Sequence, residues 1–348
     1  MKRRAYFDWN ATTPLCAAAR SAMISAMDVL GNPSSVHAEG RAAKAIIERA
    51  RGQVADAFGA GEADIIFTSS ATESAALACA GQGWIAANIE HDAVAAWVDP
   101  VLVVDGKGQV FAADPGRTAL QLANSETGVV QSLPQGIALS DMTQAFGKLP
   151  VSFAWSGAQR AMISAHKLGG PKGIGALVVQ RGLDVPAQIK GGGQEMGRRS
   201  GTENVIGIAG FGAAAASAAQ DLANGVWERV AQLRNILEIS LDVGQKEIIF
   251  VGKGSERLPN TTCFAVPGWK GETQVMQMDL AGFAISAGSA CSSGKVKTSR
   301  VLGAYGLDDA AASSAIRVSI GPDTTQEDVH RFAEMWTRHY TKFKARGA

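Results

Sequence analysis

Ser164-Ala165-His166-Lys167, with Gly169-Gly170-Pro171-Lys172-Gly173-Ile174-Gly175 close behind it, is the densest chemical signal in the chain. A β-prone run follows at 174–179, so the lysine falls in a polar, glycine-flanked turn between two strands. Two readings stand. One is a solvated loop lysine. The other is an amine held ready to form a Schiff base, with Ser164 and His166 placed to hold a phosphate and the glycines admitting a close backbone approach.

Working outward, Asp141-Met142-Thr143-Gln144 follows the apolar run Ile137-Ala138-Leu139. That order puts a carboxylate at the carboxyl end of a strand, the edge where ligands gather in open α/β sheets. There it either caps a helix or pairs with a protonated pyridine nitrogen, which keeps such a ring electron-withdrawing. Thr68-Ser69-Ser70-Ala71-Thr72-Glu73-Ser74 joins a strand to a helix. Backbone N–H groups and the Thr72 hydroxyl then face an anion at the positive helix end, although Ser and Thr also cap helices routinely. His91, in Glu90-His91 after a candidate strand, is either a structural histidine or a group that stacks on an aromatic cofactor and moves a proton.

The remaining pattern alternates strand and helix. Between 38 and 58, Ala43, Ile46, Ile47, Ala50, Val54, Ala57 and Phe58 recur at three- and four-residue steps, and Gly59 stops the helix. Short β-prone runs at 65–68, 101–104, 120–123 and 174–179 alternate with helical stretches such as 72–80. This predicts an α/β fold with a mostly parallel central sheet flanked by helices. The Ala-, Gly- and Ile-rich segment 205–224 suits a closely packed helix, and a second helix follows at 226–241. Strands at 248–251, 261–266 and 316–320, with helices at 273–280 and from 325 onward, predict a smaller C-terminal α+β domain of roughly a hundred residues.

With 348 residues, the chain is long enough for about two domains. Its 33 basic and 32 acidic residues leave a formal charge of +1, so no strong field draws nucleic acid or an anionic membrane. A hydrophobic share of 46% with 19% charged residues argues against disorder. The 40 glycines are about 11% of the chain against a typical ~7%, which suggests tight turns and close approaches. Cys16, Cys79, Cys263 and Cys291 are far apart and form no CxxC pair, so neither a metal cage nor a disulfide framework is expected and a reducing cytoplasm fits. No apolar signal core follows the basic N-terminus and no run reaches the ~18 residues of a membrane span, so a soluble, unprocessed chain is expected.

Together these segments resemble the cysteine desulfurases, pyridoxal phosphate enzymes of the class V aminotransferase group, in particular the branch serving iron-sulfur cluster assembly and nitrogen fixation. The most specific pieces are Asp8-Trp9-Asn10-Ala11-Thr12-Thr13-Pro14, Gly31-Asn32-Pro33-Ser34-Ser35-Val36-His37, residues 164–173, Gly191-Gly192-Gly193-Gln194-Glu195, Arg199-Ser200-Gly201-Thr202-Glu203-Asn204 and Ser286-Ala287-Gly288-Ser289-Ala290-Cys291. The resemblance implies the pyridoxal-phosphate fold type I, with a large cofactor-binding domain at 13–243 and a small domain, 1–12 and 244–348, carrying the cysteine loop. It implies that Lys167 holds the cofactor covalently, while Ala71, Thr72, Ser164 and His166 hold its phosphate. Asp141 would pair with the pyridine nitrogen, Gln144 would contact the ring oxygen, and His91 would stack on the ring and assist proton transfer. Thr202 resembles a phosphate contact given by a neighbouring subunit, which implies a homodimer. Arg317 resembles the anchor of the substrate carboxylate, with Ser125 and Asn10 beside it.

The same resemblance makes Cys291 the acceptor of sulfur from L-cysteine, as a persulfide, with L-alanine as the other product and a protein sulfur acceptor or iron-sulfur scaffold as partner. Its neighbours Ser289, Ala290, Ser292, Ser293 and Gly294 are small or polar, whereas Cys79 and Cys263 lie in patterns of buried packing residues. Several positions depart from the family pattern. Ser125 stands in Asn124-Ser125-Glu126 where a second asparagine is usual, Ser140 replaces a histidine, Trp9 replaces an asparagine, and the stretch from Thr72 to His91 is short. A selenocysteine lyase or aminotransferase with an idle Cys291, or a partner-binding scaffold that has lost catalysis, are the competing expectations.

Overall fold

The structure, a computed structural model, describes residues 4–243, 247–288 and 298–347. Its main sheet places Ala63–Thr68, Gly175–Gln180, Arg160–Ser164 and Ser140–Asp141 side by side in that order. Single parallel bridges, Ile137 to Ala158, Ala119 to Leu139 and Ile85 to Thr118, continue it to the parallel pair Ile85–Ala87 and Asp99–Leu102. Ile65, Ile66, Phe67, Ala161, Met162, Ile163, Leu177, Val178 and Val179 are all buried, as continuous apolar runs covered on both faces should be.

The expected mostly parallel sheet is present, with Gly175–Gln180 running against both neighbours. Only residues 165–174 separate it from Arg160–Ser164. Ten residues suffice for a return turn but not for the dozen or more that a parallel crossover needs. The lysine turn is therefore what reverses this strand.

Ala38–Ala57 begins at an N-cap, His37, and buries Ala43, Ile47, Ala50 and Val54. Val205–Ala223 packs against it and against Ala17–Met27. A methyl on Gly212 would stand 2.6 Å from the Ala50 Cα, so that glycine is what lets the two helices meet. The Val205–Ala223 helix is long and apolar enough to cross a membrane. Here its small residues serve close helix packing in the core.

A second sheet orders Ser286–Ala287, Ala315–Ser319, Thr261–Ala265 and Ile249–Val251, all antiparallel. Its core is aromatic: Phe264, Trp269, Phe283, Phe332, Trp336 and Tyr340 are buried, and Trp336 stacks on Tyr340 at 5.4 Å. The helix Val226–Asp242 adds Trp227, Val230, Leu233, Leu237 and Leu241 to that cluster. At the other end of the chain, Ala5–Tyr6 pairs in parallel with Phe283–Ala284, and Asp8 bridges to Ser319. The N-terminal segment then turns into the main sheet, where the Thr13 N–H donates to the His166 carbonyl at 2.9 Å. This strap places residues 8–13 between the two cores.

Candidate active site

Arg160–Ser164 ends at the carboxyl edge of the sheet, and Ala165–Lys167 forms one tight turn beyond it. A methyl on Gly170 would stand 2.9 Å from the Ala165 carbonyl oxygen, so the turn requires glycine there. Residues 10–13 clamp the turn from outside. The Thr13 hydroxyl donates to the His166 carbonyl at 3.0 Å and accepts from the Gly169 N–H at 2.8 Å. The Lys167 amine donates to the carbonyls of Asn10 and Ala11 at 2.6 and 2.8 Å. Burial, helped by the Arg317 charge, brings its pKa down to about 8 against the opposing pull of Asp141 and Asp8. About a tenth of the amine is then neutral at pH 7, far more than for an ordinary lysine, and the neutral form is the nucleophile. Burial and the cations Lys167, Lys172 and Lys148 likewise bring His166 to about 4, so its ring is neutral at pH 7.

Across the sheet edge, Ala71–Cys79 begins with a reciprocal cap. The Ser70 hydroxyl accepts from the Glu73 N–H at 3.3 Å, and the Glu73 carboxylate accepts from the Ser69 N–H at 2.8 Å. Arg199 holds the other oxygen of that carboxylate at 2.8 Å. The N–H groups of Ala71 and Thr72, in the first turn, have no partner within the helix. Gly175, paired with Ser164, lets the helix start come close, since a methyl there would stand 3.0 Å from the Ala71 nitrogen. Helix N–H groups, the Thr72 and Ser164 hydroxyls and a neutral His166 thus frame one corner. That donor set suits a phosphate.

Asp141 is buried at the end of its strand, and its carboxylate accepts from the Thr143 N–H at 2.9 Å. The Gln144 side chain donates to the Asn10 carbonyl at 2.9 Å, the same oxygen that receives the Lys167 amine. His91 is exposed and caps Asp92–Ala95, its Nδ1 accepting from the Ala93 N–H at 3.1 Å, so the neutral ring carries its proton on Nε2. Behind it Glu90 is fully enclosed, and burial, only partly offset by the Gln121 N–H, pushes its pKa up to about 8.

The guanidinium of Arg317 forms the other end of the site. It pairs with Asp8 at 2.7 Å and also donates to the Ser286 hydroxyl and the Ser125 carbonyl, each at 3.1 Å. Its Nε is buried without a partner, one donor left over for a ligand oxygen. Ser125 takes part through its main chain, where its carbonyl also accepts from Asn10 at 3.1 Å. Residue chemistry at 125 therefore leaves this contact unchanged. Thr202 is exposed and lines a depression with Ser69, Gly173 and Arg199.

Cys291 lies outside the described residues, as do Ser289 to Lys297. The chain leaves the described part at Gly288, whose N–H donates to the Ala315 carbonyl beside the Arg317 strand. It resumes at Thr298, and the next residue, Ser299, donates to Glu126 at 2.6 Å. Cys79 and Cys263 are buried, and burial drives both thiols up to about 12, so neither is a thiolate at neutral pH. Cys16 caps Ala17–Met27.

Lys148, Asp8 and Ser286 escaped notice in the sequence as site residues. Lys148 reads there as an ordinary loop lysine after Gly147, and Asp8 has no local pattern linking it to Arg317. The available signals were the runs from Asp8 to Pro14 and from Ser286 to Cys291, which hold Asp8 and Ser286 but do not show their pairing with Arg317.

The sequence profile of the aminotransferase class-V family matches residues 5–98 and 109–332. The chain is 33% identical over 383 residues to a protein described as cysteine desulfurase IscS from Dictyoglomus turgidum, with 99% of this chain and 96% of that protein covered. It is 36% identical over 370 residues to a cysteine desulfurase from Cereibacter sphaeroides, covering 95% of this chain and 94% of the relative. Among solved structures, a NifS-like protein from Rickettsia africae superposes with a TM-score of 0.88 at 31% identity, over 97% of this chain and 100% of that one.

Proposed function

The chain belongs to the class-V aminotransferase family, and from that premise we propose that it is a pyridoxal-phosphate-dependent cysteine desulfurase serving iron-sulfur cluster or other thio-cofactor synthesis. The observation that carries the reading is the convergence on Lys167. Its amine sits at the sheet edge under the opposing influence of Asp141 and Arg317, between a phosphate-like corner and an arginine with a spare donor. These residues fit pyridoxal phosphate. Ala71, Thr72, Ser164 and His166 would hold its phosphate, Asp141 its pyridine nitrogen, Gln144 its ring oxygen, and His91 would cover the ring. When bound, the cofactor supplies an electron sink for a carbanion at the substrate Cα.

The chain's own groups do the rest. Arg317 binds the carboxylate of L-cysteine through its spare Nε donor, with Asp8 fixing the guanidinium plane, a charge-assisted contact. The Lys167 amine would move the Cα proton, and His91 Nε2 is available as a second proton carrier. The Cys291 thiolate attacks the substrate sulfur. The carbon-sulfur bond breaks, a sulfur-sulfur bond forms on Cys291, and the carbon skeleton takes up protons to leave as L-alanine. A second copy of the chain would supply Thr202, giving a homodimer, and a protein acceptor would take the sulfur onward. A cytoplasmic setting belongs to this reading, since Cys16, Cys79 and Cys263 are free thiols.

The test is mass spectrometry after incubation with pyridoxal phosphate and L-cysteine. One added sulfur on Cys291 with matching L-alanine is expected, and Cys291→Ala should lose the persulfide and nearly all turnover. Undiminished sulfur release by that variant would refute the assignment.

A further inference from the structure

Lys148 is among the largest wholly enclosed side chains of the protein, 1% exposed, yet it has no ion-pair partner among the described residues. Its amine instead donates to two amide oxygens, Gln144 Oε1 at 2.7 Å and Asn10 Oδ1 at 3.3 Å. Burying a lysine against neutral acceptors is costly, and burial together with the Lys167 and Arg317 charges pushes its pKa well below the ordinary lysine value. A position that only filled space would be cheaper with leucine or methionine.

What the lysine supplies is direction. An amide side chain can present either its oxygen or its nitrogen to a given partner, and only its neighbours decide which. The Lys148 amine carries donors, so it takes the oxygen of Gln144 and forces the Gln144 nitrogen the other way, to the Asn10 carbonyl where Lys167 also arrives. It does the same to Asn10. With its oxygen held by Lys148 and by Asn260 at 3.1 Å, Asn10 directs its nitrogen to Thr261 at 2.8 Å and to the Ser125 carbonyl at 3.1 Å. That carbonyl also receives Arg317. One buried amine thus orients the groups at both ends of the site.

We propose that Lys148 is a positioning residue that acts through the amide oxygens of Gln144 and Asn10, fixing the Gln144 nitrogen on the side of the Asn10 carbonyl and Lys167, from which it would contact the ring oxygen of pyridoxal phosphate. The inference rests on the pyridoxal phosphate reading above. Lys148→Met keeps the aliphatic stem and removes the donors. In that variant the cofactor-free protein should bind pyridoxal phosphate about tenfold more weakly, the scale of one buried hydrogen bond, and the visible band of the bound cofactor should shift. In a Gln144→Ala background the same substitution should add less than about twofold, because the group it orients is gone.

Lys148→Gln, which retains a donor, should recover part of the affinity and the parent band, and it stands in for the methionine variant if that one does not fold. An unshifted band with parental affinity in a folded Lys148→Met protein, additive losses in the double variant, or failure of both variants to fold would overturn the role. If the parent protein itself develops no visible band with pyridoxal phosphate, it is the cofactor reading that fails.

Discussion

The two ends of the site are built by different means. At the lysine end, His166 and Lys167 sit on one short turn directly after Ser164, and main-chain groups do most of the holding: the carbonyls of Asn10 and Ala11 take the amine, and Thr13 clamps the turn. At the guanidinium end, Arg317 is held by Asp8, 309 positions away, and by Ser125, 192 positions away. The first end depends on main-chain groups, those of the turn itself and of residues 10 and 11, 157 and 156 positions from Lys167, and it is intolerant of losing Gly170. The second depends on long-range side-chain pairing between two cores. A substitution of Arg317 itself should therefore injure its own end and spare the lysine turn.

The largest such separation is expected from Arg317→Ala. Loss of a buried charge-assisted contact should raise KM for L-cysteine about a hundredfold, while affinity for pyridoxal phosphate stays within about twofold. Equal losses in both quantities would mean that the ends are one unit. A smaller effect should come from pH at the lysine end alone. Because Lys167 has its pKa lowered to about 8, its neutral fraction falls as pH drops below that value. The initial rate of pyridoxal phosphate uptake by cofactor-free protein should then fall about tenfold per pH unit below 8 and level off above it. A rate still climbing toward pH 10 would show an ordinary lysine.

The same contrast explains what could be read before folding. Apolar runs such as Ile65-Ile66-Phe67 and Leu177-Val178-Val179 are buried on both faces, and they stand in the sheet where the pattern put them. The helix at 38–58 is found at Ala38–Ala57 because its apolar spacing and its glycine stop agree with the packing. Ala17–Met27 was missed: it is rich in alanine and serine and buries only Ala19 and Ala26, so it carries almost no stripe. Ser140–Asp141 is so short that only the preceding apolar residues betrayed a strand.

At the site, contiguous motifs at 68–74 and 164–175 could be read because short-range geometry serves them directly. Lys148 could not, because its chemistry comes from amide oxygens that only the fold assembles around it. Asp8 was hidden for the same reason, its partner lying near the other end of the chain.

The central claim is that Lys167 is the cofactor lysine. Loading the protein with pyridoxal phosphate, reducing it with borohydride and mapping the digest tests it most directly. The account predicts a single pyridoxyl group, on the peptide containing Lys167. A label on Lys148, Lys172 or any other lysine, or no label at all, would contradict it.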